Sequence, residues 1–142
     1  FVINQNRFSI YDRKIKETGI LDSAIKEKKG IIIFSPLAQG LLTNRYFGGI
    51  PETSRVKTDG RFLNEALLSE EKIEKSKKLN EIAKKRGQSL AQMALAWVYA
   101  HEGITSVLIG ASSKEQIEDN VKMLENTKFT KEELEEIDTI AL

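Results

Sequence analysis

The chain has 142 residues, with 22 Lys and Arg against 21 Asp and Glu, a net charge of +1, one histidine and no cysteine. That length suits one compact domain. The charge balance argues against a dedicated nucleic-acid binder, and the missing cysteines remove disulfides, cysteine metal sites and a thiol nucleophile. No apolar run approaches the roughly 18 residues that a membrane span needs.

Residues 1–5 read as a buried strand that closes on Asn4 and Gln5. The chain opens on Phe1, without an initiator Met, directly in that strand. Domains normally begin in exposed, expendable residues, so a fragment of a longer protein is expected. Ile20, Leu21, Ala24 and Ile25 have helical spacing, and Gly30 is the expected stop. Residues 31–35 and 106–110 are continuous apolar runs rich in β-branched side chains, which predicts strands buried on both faces of a parallel sheet. Between them, residues 40–68 carry Gly, Pro, Thr and Ser punctuation; loops this long are functional or disordered.

Ser69, Glu70 and Glu71 open a helix with acids where the macrodipole is positive, Ile73, Leu79, Ile82 and Ala83 line its inner face, and Gly87 closes it. Ser89-x-x-Gln92 is a capping box for a helix carrying Leu90, Met93, Ala94, Trp97 and Val98. Ser112-x-x-Glu115 opens the next, with Ile117, Val121 and Leu124 inward. Thr130-x-x-Glu133 opens the last, with Leu134, Ile137 and Ile140 inward. Strands separated by helices predict an α/β fold with parallel crossovers. Three strands leave two open edges and a (β/α)8 barrel needs eight, so part of the sheet is expected to lie outside this chain.

In parallel α/β folds ligands bind at the carboxyl ends of the strands. After the third strand stands Gly110-Ala111-Ser112-Ser113-Lys114-Glu115-Gln116. A glycine turn, two hydroxyls, a lysine and the free N–H groups of a helix start make an anion site; ordinary capping beside a surface lysine explains the same residues. After the second strand, Phe34 offers a ring for a flat ligand, and Arg45 and Arg55 offer forked donors for a pyrophosphate. The plain alternative is a turn set by Pro36 and Gly40 with solvated arginines. The amides of Asn4 and Gln5 serve a ligand or a neighbouring loop equally well. His101 reads as structural, at a helix C-terminus and with no triad-like context. Glu132, Glu133, Glu135 and Glu136 read as a solvated face, as do Lys77, Lys78, Lys84, Lys85 and Arg86; Met93 and Trp97 read as core.

Several motifs in order resemble one family. Residues 34–43, from Phe34-Ser35-Pro36-Leu37-Ala38-Gln39-Gly40 to Thr43, resemble the loop after the seventh strand of aldo-keto reductases, and residues 48–55 continue it. Residues 87–97 resemble the helix before the eighth strand, and residues 106–112 and 115–120 that strand and its cofactor helix. The resemblance runs from Asn4 to about Leu142 and implies a partial (β/α)8 TIM barrel, strands six to eight with their helices, that binds NADP(H). It implies that Gln5 bonds the nicotinamide carboxamide and that Phe34 stacks on the ring. It gives the pyrophosphate and the strap over it to Ser35, Leu37, Gln39, Gly40, Thr43, Arg45 and Arg55, with Pro36 and Ala38 in the same loop. Ser112 and Gln116, after Gly110 and with Lys114 as helper, are implied for the adenosine 2′-phosphate, Asn120 for adenine, and Asp119 stands where the family often has Glu.

The family's Asp, Tyr, Lys and His of catalysis map onto nothing in this sequence; Tyr11, Tyr46, Tyr99 and His101 are not in their positions. The expectation is a cytoplasmic parent that reduces a small carbonyl substrate, and a 142-residue part that is inactive alone and self-associates for want of its N-terminal half. Neither a nucleic acid nor a membrane is expected as partner. The alternative is a regulatory subunit of the potassium-channel beta type that binds cofactor with little turnover.

Overall fold

Three short strands, β1 (Ile3–Arg7), β2 (Gly30–Phe34) and β3 (Ile104–Val107), pair in parallel in the order β1-β2-β3. The structure is a computed structural model and describes residues 2–49 and 69–142. Between β1 and β2 lie α1 (Lys14–Glu17) and α2 (Ile20–Lys26). Between β2 and β3 lie two 3₁₀ turns (Ala38–Gly40 and Asn44–Tyr46), then α3 (Glu70–Lys85) and α4 (Leu90–Tyr99). After β3 come α5 (Lys114–Val121), a 3₁₀ turn (Lys122–Glu125) and α6 (Lys131–Ala141). The parallel three-stranded order is the one the sequence predicts; α1 is an addition to it.

The helix starts follow the sequence closely, because a cap is a local contact. Ser89 accepts from the Gln92 N–H at 3.1 Å while the Gln92 side chain accepts from Ser89 N–H at 3.0 Å. Thr130 and Glu133 make the same reciprocal pair, and Ser69 caps α3. Two boundaries differ. The helix before β2 is closed not by Gly30, which begins the strand, but by Lys28 at φ 52, whose N–H bonds Ile25 while that of Lys29 bonds Ala24. α5 is capped by Ser113, one residue beyond the expected Ser112.

Burial corrects the strands. β1 starts two residues later than predicted and is not buried: Val2, Ile3, Gln5 and Arg7 are exposed. In β2 only Ile31 and Ile33 are buried, with Ile32 and Phe34 half-buried. The reason is that the helices cover one face. Ile31 and Ile33 join Phe8, Ile10, Leu79, Ile82, Leu90, Met93, Trp97, Val98 and Ile137 in the main core, each apolar side chain contributing about 1.5–3 kcal/mol. The opposite face, with Gln5 beside Ile32 and Arg7 beside Phe34, is left open. Thr105 is the extra residue where the β2–β3 register shifts. Its hydroxyl accepts from Ile31 N–H at 3.3 Å and stands 3.1 Å from where a Cβ on Gly30 would lie.

The C-terminal helices depart furthest from the apolar pattern. Ile117, Val121 and Leu124, expected inward, are 48%, 51% and 54% exposed, and Leu134 lies at the rim. Polar ties take over there. Arg86, expected in solvent, has a side chain only 2% exposed. Its guanidinium donates to Glu133 at 2.6 Å, to the carbonyls of Lys128 and Asn126 and to Gln88, with the guanidinium carbon 3.7 Å from the Phe129 ring centroid. Glu133 is therefore part of a buried ion pair as well as a cap, while Glu132, Glu135 and Glu136 are exposed. At the other end of the core Arg13 bonds Asp138 at 2.6 Å and lies over Trp97.

Breaking a buried pair strands the remaining polar groups. Arg86→Met is expected to destabilise the fold by about 3 kcal/mol, and Glu133→Gln by less because an acceptor oxygen remains. Thermal unfolding of the two variants checks this order.

His101 is structural, as expected, but neutral. It lies against the rings of Phe8 and Trp97, its Nδ1–H donates to the Trp97 carbonyl at 2.7 Å, and Nε2 faces the Lys16 ammonium at 3.5 Å. Burial holds its pKa below the ordinary 6.5; the Trp97 carbonyl and Asp138 oppose this, and Lys16 and Arg13 reinforce it. The unfolded chain therefore takes up the proton first as pH falls. Stability from this residue is full above pH 6.5 and declines below it, towards the lower folded value. His101→Gln is expected to flatten the part of the Tm profile that falls below pH 6.5.

Candidate functional site at the carboxyl ends of the strands

β2 and β3 are parallel, with Ile33 in register with Val107, and the Leu108 N–H bonds the Ile33 carbonyl at 2.8 Å. The segments that follow, 35–46 and 108–116, therefore leave the sheet side by side at one end. Arg7 is in register with Phe34, so the end of β1 joins them. Among the described residues, every candidate except Gln5, Asp119 and Asn120 lies in these segments or at a strand end. Gln5 lies on the open sheet face beside Ile32, whereas Asn4 faces the helices and accepts from Asn6 at 2.7 Å. Arg55 lies outside the described residues.

The loop after β2 is held in an uncommon backbone shape. Ser35, Ala38 and Gln39 have φ of 53°, 47° and 57°, and Gly40 has φ 96°. Three non-glycine residues in the left-handed region within five positions store strain, a cost tolerated where surroundings impose it. Those surroundings are visible. Pro36 is buried, and Leu37 and Ala38 pack against the main core. Thr43 donates its hydroxyl to the Gly40 carbonyl at 2.7 Å and accepts from Arg45 N–H at 3.1 Å. Leu41 and Tyr46 form a small second core with Tyr11, Ala38 and Ile73. A Cβ on Gly40 would stand 3.3 Å from the Tyr46 ring. Tyr11 shares a 2.8 Å hydroxyl hydrogen bond with Ser76 of α3, and burial raises its pKa. It is thus committed to bracing this loop. Arg45 is exposed, its guanidinium near the edge of the second core over Tyr46.

After β3 the chain turns at Gly110, where a Cβ would meet nothing within 4 Å. The backbone N–H and the hydroxyl of Ser112 both donate to one atom, Gln116 Oε1, at 2.8 and 3.2 Å. Two donors converging on a single exposed oxygen form the kind of donor set that also suits a phosphate oxygen. Lys114 stands in the same turn and pairs with Glu118 at 3.2 Å. On α5, Asn120 is buried whereas Asp119 is exposed and accepts from Gln92. That bond gives Asp119 a structural partner.

The sequence reading missed two residues here. The Arg7 guanidinium lies over the Phe34 ring, 5.5 Å from its centroid. Its signal was available, since Arg7 stands two residues after Gln5 on a strand and shares its face. Gln92 was read only as a cap. Two cavities, about 380 Å³ beside β1 and α2 and about 570 Å³ beside Trp97 and His101, are lined by none of the candidate cofactor residues. Among the described residues no helix is long and apolar enough to cross a membrane.

A parallel β/α unit with its strand-end loops gathered at one mouth is the architecture of part of a (β/α)8 barrel. The whole chain, residues 1–142, matches the model of the aldo/keto reductase family, and the chain belongs to that family. It is 46% identical over 140 residues to L-glyceraldehyde 3-phosphate reductase of Escherichia coli O157:H7, and 44% identical to the protein of that name in Escherichia coli strain K12. Each alignment covers 96% of this chain and 40% of the relative, so the chain spans about 40% of the length of those proteins. The glycerol dehydrogenase of Gluconobacter oxydans superposes with a TM-score of 0.78 at 25% identity, over 97% of this chain and 41% of that one. A thermostable aldo-keto reductase solved with the inhibitor epalrestat gives a TM-score of 0.67 at 25% identity, over 98% and 39%. The three strands and their helices thus correspond to about 40% of such a barrel chain.

Proposed function

We propose that this chain carries most of the NADP(H) site of an aldo-keto reductase that reduces a small carbonyl compound, and that the residue donating the proton lies outside it. The observation that carries the reading is the adjacency of the strained loop after β2 and the Ser112–Gln116 donor turn after β3, set by the Ile33–Val107 register. The curated relatives are named as reductases, which favours turnover over the regulatory-subunit alternative.

The residues present suit the cofactor. Phe34, half-buried on the open sheet face, offers a flat surface for a ring, and Gln5 on the same face offers an amide to fix a carboxamide's rotation. Ser35, Leu37, Gln39, Gly40, Thr43 and Arg45 would hold the pyrophosphate, with Pro36 and Ala38 holding the loop's shape and Arg55 assigned to the strap. Ser112, Gln116 and Lys114, on the turn from Gly110, would take the 2′-phosphate, and Asn120 the adenine. Asp119 acts from behind this set. When bound, the reduced cofactor supplies a hydride to a carbonyl carbon. What these side chains contribute is orientation and charge neutralisation. The proton for the resulting alkoxide needs a donor of suitable pKa on the open face, and Tyr11, tied to Ser76, does not serve.

The test is turnover of a small aldehyde with NADPH by the natural full-length protein. Turnover is expected there and none in the 142-residue chain alone; a full-length protein silent across a carbonyl panel overturns the reading. Ser112→Ala is expected to raise KM for NADPH about tenfold, the worth of one hydrogen bond to a charged group, and to leave that for NADH nearly unchanged.

The same reading covers the isolated chain's partner. Val2, Ile3 and the β1 edge are exposed, as are Ile117, Val121 and Leu124. Open strand edges and apolar faces associate. Sedimentation of the isolated chain at micromolar concentration is expected to show oligomers, and a monomer with cooperative unfolding would contradict this.

A further inference from the structure

α5 carries Gln116 and Asn120, yet it is poorly held by apolar packing. Among the described residues it contributes no side chain to the main core or to the hydrophobic layer against it. Ile117 and Val121 are about half exposed, and Asn120 is its one buried residue. What ties α5 to the body is the buried side chain of Gln92, one helix away. Both N–H groups of the Gln92 amide are engaged by Asp119, one by its carbonyl at 2.9 Å and one by its carboxylate at 3.0 Å. The amide oxygen accepts from Ser89 N–H and closes the α4 cap. Only this orientation of the amide works, since the reverse would set its oxygen against two acceptors and its N–H groups against a donor. Just beyond α5, Gln88 donates to the Asn126 carbonyl at 2.9 Å and continues the same polar seam.

We propose that Gln92 is a positioning residue for the nucleotide. It touches no ligand, and it fixes α5, and with it Gln116 and Asn120, against the N-terminus of α4. The inference rests on the cofactor reading above. It differs from a general packing role in a specific way, because the two ends of one amide do separable jobs. The oxygen caps α4 and serves stability; the nitrogen holds α5 and serves affinity.

The experiment separates them in the natural full-length protein. Gln92→Glu keeps an oxygen for the Ser89 N–H, and Glu is as good as Gln at that cap position. It replaces the N–H donors to Asp119 with a second carboxylate. The expected result is a rise of about tenfold in the NADPH Kd, read by nucleotide fluorescence titration, and in KM for NADPH, with kcat nearly unchanged and Tm lowered by the buried pair of carboxylates. Adding Asp119→Asn to that variant supplies an amide N–H to the new carboxylate and is expected to recover most of the loss. Ser89→Ala removes the other half of the cap and is expected to lower Tm while leaving the Kd unchanged. A Gln92→Glu variant with the wild-type Kd overturns the proposal, as does a Kd that rises equally in Ser89→Ala. A wild-type protein that binds no NADPH overturns the cofactor reading and this inference together, whereas tight wild-type binding with an indifferent Gln92→Glu variant overturns this inference alone.

Discussion

The backbone hydrogen bond from Leu108 to Ile33, which prolongs the register of β3 on β2, is the contact on which the rest depends. It brings two loops from distant parts of the chain to the same end of the sheet. Neither loop is a site alone. A capped helix start after a strand is common, and a Pro-Gly loop after a strand is equally so. Their adjacency turns two ordinary features into one mouth at the carboxyl ends of the strands. The strain at Ser35, Ala38 and Gln39 makes sense in that light. The loop is braced from below by Pro36, Leu37 and the small core of Leu41 and Tyr46, so its backbone shape is imposed before any ligand arrives.

A second constraint follows from the sheet being covered on one side. The helices bury Ile31 and Ile33 and leave the face of Gln5, Ile32 and Phe34 open, which is where a barrel interior would be. The N-terminal two-thirds of the chain has enough apolar surface to fix its helices by packing around Trp97, Leu79 and Ile82. The C-terminal segment depends more on polar anchors. Arg86 gathers the turn before α6, and Gln88 and Gln92 gather the end of α5. Buried polar groups of this kind tolerate one arrangement, because any other leaves a donor or acceptor unmet.

The parts read correctly from the sequence were those set by neighbours along the chain. Both complete capping boxes, Ser89 with Gln92 and Thr130 with Glu133, are present as expected, and Gly87 closes α3 at φ 69°. The parallel strand order and the strand-end position of the candidate loops were legible too, since hydrophobic runs separated by helices allow little else. The misreadings of burial share one cause. Arg86 and Glu133 looked solvated because charged residues usually are, and only the approach of Phe129 and the 126–128 carbonyls makes a pocket for the guanidinium. Ile117, Val121 and Leu124 looked inward because apolar spacing says which side chains share a face, not whether anything covers it. Ser112 and Ser113 are both capping residues by type, and the choice fell on the second because the first is taken up by Gln116.

The sequence by itself determined the class of fold, the order of its strands and main helices, most of the helix starts and the family, because each rests on local hydrogen bonding, hydrophobic period or motif order. Tertiary structure alone decided which face of the sheet is covered, that His101 is held neutral between two aromatic rings, that Arg7 lies over Phe34 and that Gln92 reaches Asp119. Those outcomes depend on through-space distances between residues far apart in the chain or on the desolvation they produce, and no spacing along a sequence encodes either quantity.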